Sequence, residues 1–264
     1  MSQLKEVSIN GLTQAFIDEG NGEAVLLIHG SLCDYRYWRW QETALAAECR
    51  LIIPSLRHYW PVTQPESNGF SAEQHAADLL SLLNHLGLEK THVLGHSRGA
   101  AVAVRMAQQA PEQIASLILA DPGLRTPDEL EASIYAKAYA LTMIVSGAVD
   151  DGLEIFIDSV SGEGTWHKMV PWFKRMVRDN AETLVLQQNE PPVLFDRDEL
   201  APLGQFNISL IGGGQSPEPF PHIIEELSKL WPKAAVHILD KTTHGMNLAM
   251  PQAFHQIVLE HIGA

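Results

Sequence analysis

Ser97 stands at the centre of the pentapeptide GHSRG, residues 95–99. A short strand-like run, residues 92–94, precedes it, and an Ala/Val-rich helical segment, residues 100–109, follows at once. Where a strand turns sharply into a helix, a serine at the turn presents its hydroxyl above the end of the sheet. Glycines on both sides let the strand and the helix pass closely, because they carry no Cβ. The pattern predicts nucleophilic chemistry at Ser97.

His244 is the candidate base for that chemistry. A serine hydroxyl is a weak nucleophile until a base takes its proton, and the base needs a third group to hold it. His244 lies in THGMN, residues 243–247, after the last predicted strand and before the last predicted helix. Loops at the carboxyl ends of parallel strands share one edge of a sheet, so His244 and Ser97 are expected to meet there. Other histidines fall within predicted strands or helices and fit packed or solvated positions: His75, His85, His237, His255 and His261.

Two backbone amides are candidates for stabilising the oxyanion that forms when a serine attacks a carbonyl group. The segment HGS, residues 29–31, ends another predicted strand at the same edge of the sheet. Gly30 permits a close backbone approach, so the amide of Ser31 can point to the space above Ser97. The amide of Arg98, at the start of the following helix, supplies the second donor. Ser31 and Arg98 are therefore the predicted oxyanion hole.

The elements that must position these groups alternate along the chain. Residues 4–10 and 13–18 alternate in polarity around Asn10-Gly11, which predicts a β-hairpin. Continuous apolar runs predict buried strands, and amphipathic segments between them predict helices. This alternation predicts an α/β fold with a doubly wound, mostly parallel sheet. Further strands are predicted at residues 24–29, 50–53, 92–94, 114–120, 206–211 and 235–239, and the other main helices at 71–86, 220–230 and 252–262.

The alternation stops between Leu124 and about Leu203. This stretch is longer than an ordinary connection, so a helical lid or cap is expected, inserted before the last two strands. The predicted organisation is a core domain in two parts, residues 1–123 and 204–264, interrupted by the cap at 124–203. Helices are predicted within the cap at residues 127–149, 153–160, 165–178 and 181–189.

The order of HGS, GHSRG and THGMN resembles the α/β-hydrolase fold superfamily, in particular its capped, single-domain, esterase-like members. The resemblance covers nearly the whole chain. It implies Ser97 as the nucleophile, His244 as the base, and the amides of Ser31 and Arg98 as the oxyanion hole. Serine at position 97 disfavours dehalogenase and epoxide hydrolase chemistry, which uses an aspartate there in this superfamily.

The resemblance leaves the acid of the triad open. In most relatives the acid follows the strand after the cap, three residues beyond a glycine, and that position holds Ser216 in this chain. Some relatives, including haloalkane dehalogenases, place the acid one strand earlier, where this chain has Asp121. Glu218, two residues past Ser216, is the alternative. We favour Asp121 as the acid.

Three side chains are expected to contact the substrate. Most relatives carry an arginine-glycine pair after the strand that ends near Ile53, but His58 follows Arg57 here. His58 is predicted to reach into the pocket, with a surface loop position as the alternative. Trp166 and Trp172 lie on one predicted cap helix and are expected to roof an apolar pocket.

Composition narrows the remaining classes of function. The chain has 264 residues, 45% of them hydrophobic, which is enough for one α/β domain with an insertion. Its formal net charge of −14 argues against binding to nucleic acid or to an anionic membrane surface. The beginning of the chain has no apolar signal core, and Cys33 and Cys49 give no disulfide framework, so a cytoplasmic location is expected. Neither a metal-binding nor a nucleotide-binding motif is present, so no metal or cofactor is expected.

The sequence therefore predicts a serine hydrolase that cleaves a small, fairly apolar carboxylic ester or lactone through an acyl-enzyme. Its predicted partner is the small-molecule substrate, and the oligomeric state stays open. Three alternatives share the fold: a hydrolase that cleaves a carbon–carbon bond with the same triad, a small-molecule receptor, and a catalytically silent relative.

Overall fold

One eight-stranded sheet organises the residues that the computed structural model describes, 3–62, 69–126 and 137–264. Its strands are β1 (Lys5–Ile9), β2 (Leu12–Glu19), β3 (Ala24–Ile28), β4 (Arg50–Pro54), β5 (Thr91–His96), β6 (Ile114–Ala120), β7 (Asn207–Gly213) and β8 (Ala235–Leu239). They lie in the order β1-β2-β4-β3-β5-β6-β7-β8. β1 and β2 form an antiparallel hairpin, β2 is antiparallel to β4, and the remaining neighbours are parallel. The predicted hairpin and the mostly parallel sheet are confirmed.

Alternate side chains of the central strands enter two different apolar clusters. In β3, Leu26 and Ile28 belong to one cluster, whereas Val25 and Leu27 belong to the other. Successive side chains of a strand point to opposite faces, so the sheet is covered by apolar groups on both sides. This explains why β3 reads as a continuous apolar run rather than as an alternating one.

The helices of the core include those predicted at residues 71–86, 100–109, 220–230 and 252–262, which begin and end close to the predicted positions. They are α1 (Arg39–Leu45), α2 (Ala72–His85), α3 (Arg98–Gln109), α10 (Phe220–Leu230), α11 (Met246–Ala249) and α12 (Pro251–Ile262). The hydroxyl of Ser71 accepts a hydrogen bond from the amide of Gln74 at 3.1 Å, so Ser71 caps α2. Residues of α2 and α3 belong to one apolar cluster, and residues of α1 and α12 belong to the other.

The chain between β6 and β7, residues 124–203, is called the insert, and its described part from residue 137 onward contains several helices. They are α4 (137–145), α5 (Val149–Ser161), α6 (Thr165–Lys168), α7 (Pro171–Asp179), α8 (Ala181–Leu186) and α9 (Arg197–Leu200). Leu153, Ile157 and Phe173 of the insert join the apolar cluster that contains Trp38 and Phe254. These insert residues are therefore packed on the same side of the sheet as α1 and α12, whereas Val193, Leu200 and Leu203 belong to the cluster of α2 and α3.

Several helix boundaries in the insert differ from the prediction. The helix predicted over residues 165–178 is broken into α6 and α7, with Met169 and Val170 in extended conformation. Pro171 causes the break, because it has no N–H to continue α6 and is well suited to begin a new helix. The helix predicted over residues 127–149 ends near Gly147, whose φ is 92°. Residues 127–136 of that prediction lie outside the described residues.

No helix in the described ranges is long and apolar enough to cross a membrane.

Candidate active site

Ser97 occupies a strained turn between β5 and α3. Its φ of 55° and ψ of −125° lie in a region that side chains other than glycine rarely adopt. Three backbone hydrogen bonds of 2.9 Å hold the turn: the Ser97 amide donates to Ala120, and the Ser97 carbonyl accepts from Gly123 and Ala100. Side chains at Gly95 or Gly99 would overlap backbone atoms of neighbouring elements. β6 and the loop after it therefore fix the position of the candidate nucleophile.

His244 lies beside Asp121, which follows the end of β6. Nδ1 of His244 is 3.0 Å from Oδ2 of Asp121. The Asp121 side chain is fully shielded from solvent, at 0% exposure. The Asp121 amide donates to the carbonyl of Ile211 in β7 at 2.8 Å, so the neighbouring strand sets the position of this residue. A buried carboxylate at this distance orients the imidazole and stabilises its protonated form.

Two groups beyond β6 complete the surroundings of the Asp121 carboxylate. The hydroxyl of Ser216 donates to Oδ2 at 2.6 Å, and the amide of Gly213 donates to Oδ1 at 3.4 Å. Ser216 stands where the resemblance places the acid of most relatives. Glu218, the alternative acid, is exposed to solvent. Of the two candidates, the structure brings Asp121 to His244.

Two other aromatic rings contact the ring of His244. The Phe220 ring stacks on it with centroids 4.1 Å apart, and the His96 ring lies 4.5 Å away. Nε2 of His96 is 2.7 Å from the carbonyl oxygen of His244. A carbonyl only accepts, so this Nε2 carries a hydrogen, and burial holds the pKa of His96 well below its usual value. His96 is thus a neutral donor that fixes the backbone of the candidate base.

A polar network extends this support to α11, which follows His244. Tyr37 donates its hydroxyl hydrogen to Oδ1 of Asn247 at 2.7 Å, and Nε2 of Gln41 donates to the Asn247 carbonyl at 2.7 Å. Tyr37 and Asn247 are almost fully buried, so these bonds are shielded from water. Tyr37, His96 and Phe220 carry no signal in the sequence, because a single sequence does not show which rings contact His244.

Ser97 and His244 both lie on the wall of a cavity of about 470 Å³. Gly30 and Ser31 lie on the same wall, beside the candidate nucleophile. The insert supplies much of the remaining wall through largely apolar residues, which include Phe156, Ile157, Val160, Met169, Trp172 and Phe173. A concave, mostly apolar site with a few polar groups is the usual form of a small-molecule site.

Two of the three predicted substrate contacts lie outside the cavity wall. Trp166 is 3% exposed, and Nζ of Lys174 lies over the Trp166 ring, 4.7 Å from its centroid. Trp172, in contrast, lines the cavity. The two tryptophans do not share a helix face, because the helix breaks before Pro171. His58 is buried with its ring stacked on Phe70 at 6.1 Å, within the cluster of α2 and α3. The structure therefore does not place His58 or Trp166 where the predicted substrate contact would need them, on the wall of this cavity.

The turn that carries Ser31 is positioned by a buried histidine. The amide of Leu56 donates to Nε2 of His29 at 3.0 Å, so Nδ1 carries the hydrogen and donates to the Gly30 carbonyl at 2.9 Å. Burial lowers the pKa of His29 to about 3. A Cβ on Gly30 would lie 2.9 Å from Cβ of Ser97, so only glycine permits this approach. The HGS segment therefore lies directly against the turn between β5 and α3 that carries Ser97.

The two predicted oxyanion donors are available for a ligand. Among the described residues, no carbonyl accepts a hydrogen bond from the amide of Ser31 or of Arg98. Arg98 begins α3 immediately after Ser97, at the end of a helix where amides point outward. Its side chain turns away from the cavity into an ion pair with Glu190.

Comparison with known proteins identifies the family. The model of the α/β hydrolase fold family matches residues 23–249. The chain belongs to the α/β hydrolase fold family, as the resemblance of its motifs implied.

Individual relatives match along the whole chain at low identity. A Bacillus subtilis (strain 168) protein with the provisional name 2-succinyl-6-hydroxy-2,4-cyclohexadiene-1-carboxylate synthase is 24% identical, over 96% of this chain and 96% of that protein. Carboxylesterase CesB from Bacillus subtilis has a TM-score of 0.82 and 22% identity, covering 99% of this chain and 92% of that chain. A meta-cleavage product hydrolase from Pseudomonas fluorescens IP01 has a TM-score of 0.79 and 19% identity, covering 98% and 97%. Several other curated relatives match over less than half of their own length.

Proposed function

We propose that this protein is a serine hydrolase that cleaves a small, fairly apolar carboxylic ester or lactone through an acyl-enzyme. The observation that carries the proposal is the 3.0 Å contact between Nδ1 of His244 and the buried carboxylate of Asp121. His244 and Ser97 line the same cavity, so a base with a fixed tautomer and a strained serine face one substrate space. These are the parts that activated-serine chemistry needs.

The roles follow from the hydrogen bonds. Asp121 accepts the hydrogen on Nδ1 of His244, which leaves Nε2 unprotonated as the base. Nε2 takes the proton of Ser97 while Oγ attacks the carbonyl carbon, and the π electrons of the carbonyl pass to its oxygen. The amides of Ser31 and Arg98 stabilise that oxyanion. The imidazolium then protonates the departing alkoxide, and water repeats the sequence to release the acid.

The cavity supports the proposed substrate class. Its volume of about 470 Å³ suits a small ligand, and its wall is formed mainly by apolar and aromatic side chains. We propose that the insert acts as the cap of this site, with Trp172 and Phe173 selecting the acyl group. Binding of this kind sets substrate preference rather than the chemical step.

Hydrolysis of a carbon–carbon bond in a diketone is the second candidate, because it uses the same serine, base and oxyanion donors. The meta-cleavage product hydrolase shares the fold of this chain along its length. Among the described residues on the cavity wall, Lys168 offers an ammonium group that would suit an acidic diketone. A neutral ester has no anionic group that could pair with this ammonium group.

A substrate panel tests the proposal. The protein is assayed with p-nitrophenyl esters of increasing acyl length, with lactones and with an acidic vinylogous diketone, and Ser97→Ala is the control. We expect turnover of short esters, with kcat reduced by at least ~10³ in Ser97→Ala. Turnover of the diketone alone would favour carbon–carbon cleavage. Turnover that survives Ser97→Ala, or no turnover of any compound, would overturn hydrolysis by Ser97.

A further inference from the structure

The two residues whose amides are the proposed oxyanion donors are bonded through their side chains to one short segment of the insert, residues 187–190. The hydroxyl of Ser31 donates to Oε1 of Gln187 at 2.9 Å. Nε of Arg98 donates to Oε2 of Glu190 at 2.9 Å, and Nη2 of the same guanidinium donates to Oε1. Ser31 follows β3 and Arg98 begins α3, so segment 187–190 joins two separate parts of the core.

The bond between Arg98 and Glu190 is strong and well shielded. The two side chains are 6% and 8% exposed, and the guanidinium meets both oxygens of the carboxylate. Paired, charge-assisted hydrogen bonds of this kind fix geometry as well as contributing energy. Removing one partner would leave an uncompensated buried charge, which is costly. Movement of Glu190 is therefore coupled to movement of Arg98.

The guanidinium is held from its other side by α2. Nη2 of Arg98 donates to Nδ1 of His75 at 2.8 Å, and His75 donates from Nε2 to the carbonyl of Arg57 at 3.2 Å. An arginine only donates, so Nδ1 of His75 carries no hydrogen and the ring is neutral. Arg98 is thus clamped between the insert and the core, and its backbone begins one residue after the strained Ser97.

Segment 187–190 is itself fixed within the insert. Nζ of Lys137 in α4 donates to the carbonyl of Gln187 at 2.9 Å. Gln187 and Glu190 turn their side chains toward the core, whereas Gln188 and Asn189 between them are exposed. Only the two residues that contact Ser31 and Arg98 are withdrawn from solvent. The segment thus presents one contact to each oxyanion residue.

We propose that Gln187 and Glu190 are positioning residues for the oxyanion hole, and that seating of the insert sets the placement of both donor amides. The inference rests on the proposed function, because it concerns the stabilisation of a tetrahedral intermediate at Ser97. It assigns the insert a part in the chemical step, beyond shaping the cavity. Oxyanion donors must be placed to a fraction of an ångström, so even a small loss of order at segment 187–190 should slow that step.

The experiment compares Gln187→Leu and Glu190→Gln with the matched surface control Gln188→Leu. Each protein is assayed for kcat and KM with the best ester of the panel. Each is also assayed for affinity toward an arylboronic acid, which forms a tetrahedral adduct with an activated serine. We expect kcat and boronate affinity to fall together by ~10- to 100-fold in the two test variants, with KM changed less than about threefold. Gln188→Leu should match the wild type.

A purely structural role for the segment gives a different result. It would lower the melting temperature or change KM, while kcat and boronate affinity stay at the wild-type values, and that outcome overturns the inference. If Glu190→Gln does not fold, Gln187→Leu carries the test, because it removes one neutral hydrogen bond and leaves the ion pair intact. Failure of the proposed function is distinguishable, since the wild type itself would then neither turn over esters nor bind the boronate.

Discussion

Ser216 and His244 share one oxygen of Asp121: the serine hydroxyl donates to Oδ2 at 2.6 Å, and Nδ1 of the histidine lies 3.0 Å from it. The acid that the resemblance places after β7 in most relatives is replaced in this chain by a hydrogen-bond donor to an acid after β6. The carboxylate of Asp121 therefore reaches His244 from the end of β6 instead of β7. Ser216, at the position that holds the acid in most relatives, supports this carboxylate by a hydrogen bond.

Asp121→Asn should reduce kcat by at least ~10², about 2.7 kcal/mol of barrier, with little change in the melting temperature. The amide of asparagine can donate a hydrogen bond to Nδ1 of His244. The ring hydrogen then lies on Nε2, which can no longer take the proton of Ser97. Steady-state kinetics with the best ester measure the effect. Glu218→Gln is the matched control and should be nearly silent. The reverse pattern would make Glu218 the acid.

Exchanging the two side chains tests whether the acid can act from either strand. Asp121→Ser alone should lose at least ~10² in kcat, because the base loses its carboxylate. Adding Ser216→Asp to Asp121→Ser should raise kcat again by ten-fold or more. The side chain of residue 216 already lies 2.6 Å from the oxygen of Asp121 that contacts His244, so a carboxylate there can replace it. The measurement is kcat of the two variants side by side. No recovery in a folded double variant would show that the loop after β7 cannot present an acid to His244.

The two tryptophans of the insert should behave differently. Trp172→Ala should change relative KM across an ester series more than it changes kcat, because Trp172 lines the cavity and supplies binding that is equal in ground and transition states. Trp166→Ala should leave ester preference unchanged and lower the melting temperature, because Trp166 is buried away from the cavity. Altered preference in Trp166→Ala alone would contradict this arrangement of the insert.

Stability should fall as the pH is lowered from about 6.5 toward 4. Burial lowers the pKa of His29 to about 3 and that of His261 to about 4, from an ordinary value of 6.5. Between these values the unfolded chain binds protons that the folded chain does not, so the free energy of unfolding decreases with falling pH. Each histidine should cost roughly 2 kcal/mol at pH 5 compared with pH 7. Urea unfolding at the two pH values measures the loss, which should be smaller in His261→Gln; an equal loss would contradict the assignment.

The sequence predicted the fold and the candidate nucleophile and base because their signals are local. Ser97 is recognised from the GHSRG motif between a strand and a helix, and His244 from its place between the last strand and the last helix. The two predicted substrate contacts that lie off the cavity wall have a common explanation. The prediction for Trp166 assumed one uninterrupted helix, which Pro171 breaks. The prediction for His58 assumed a side-chain direction at a residue whose φ is 70°. Neither direction is encoded by hydrophobic periodicity.

The supporting contacts could not be predicted because they join residues distant in the chain. Ser216 and Asp121 are 95 residues apart, and Arg98 and Glu190 are 92 apart. Glu190 reads in sequence as an ordinary polar residue after a short helix. Only the packing of the insert against the core shows that it meets a buried arginine beside the nucleophile.

Mass spectrometry after reaction with a fluorophosphonate probe tests the central claim, that Ser97 is an activated nucleophile, most directly. The probe reacts with serines whose proton a base removes, and it does so whatever the natural substrate is. The account predicts one adduct per chain, on the peptide that contains Ser97, with labelling abolished in Ser97→Ala and strongly slowed in Asp121→Asn. A wild-type protein that is not labelled, or an adduct that persists in Ser97→Ala, would contradict it.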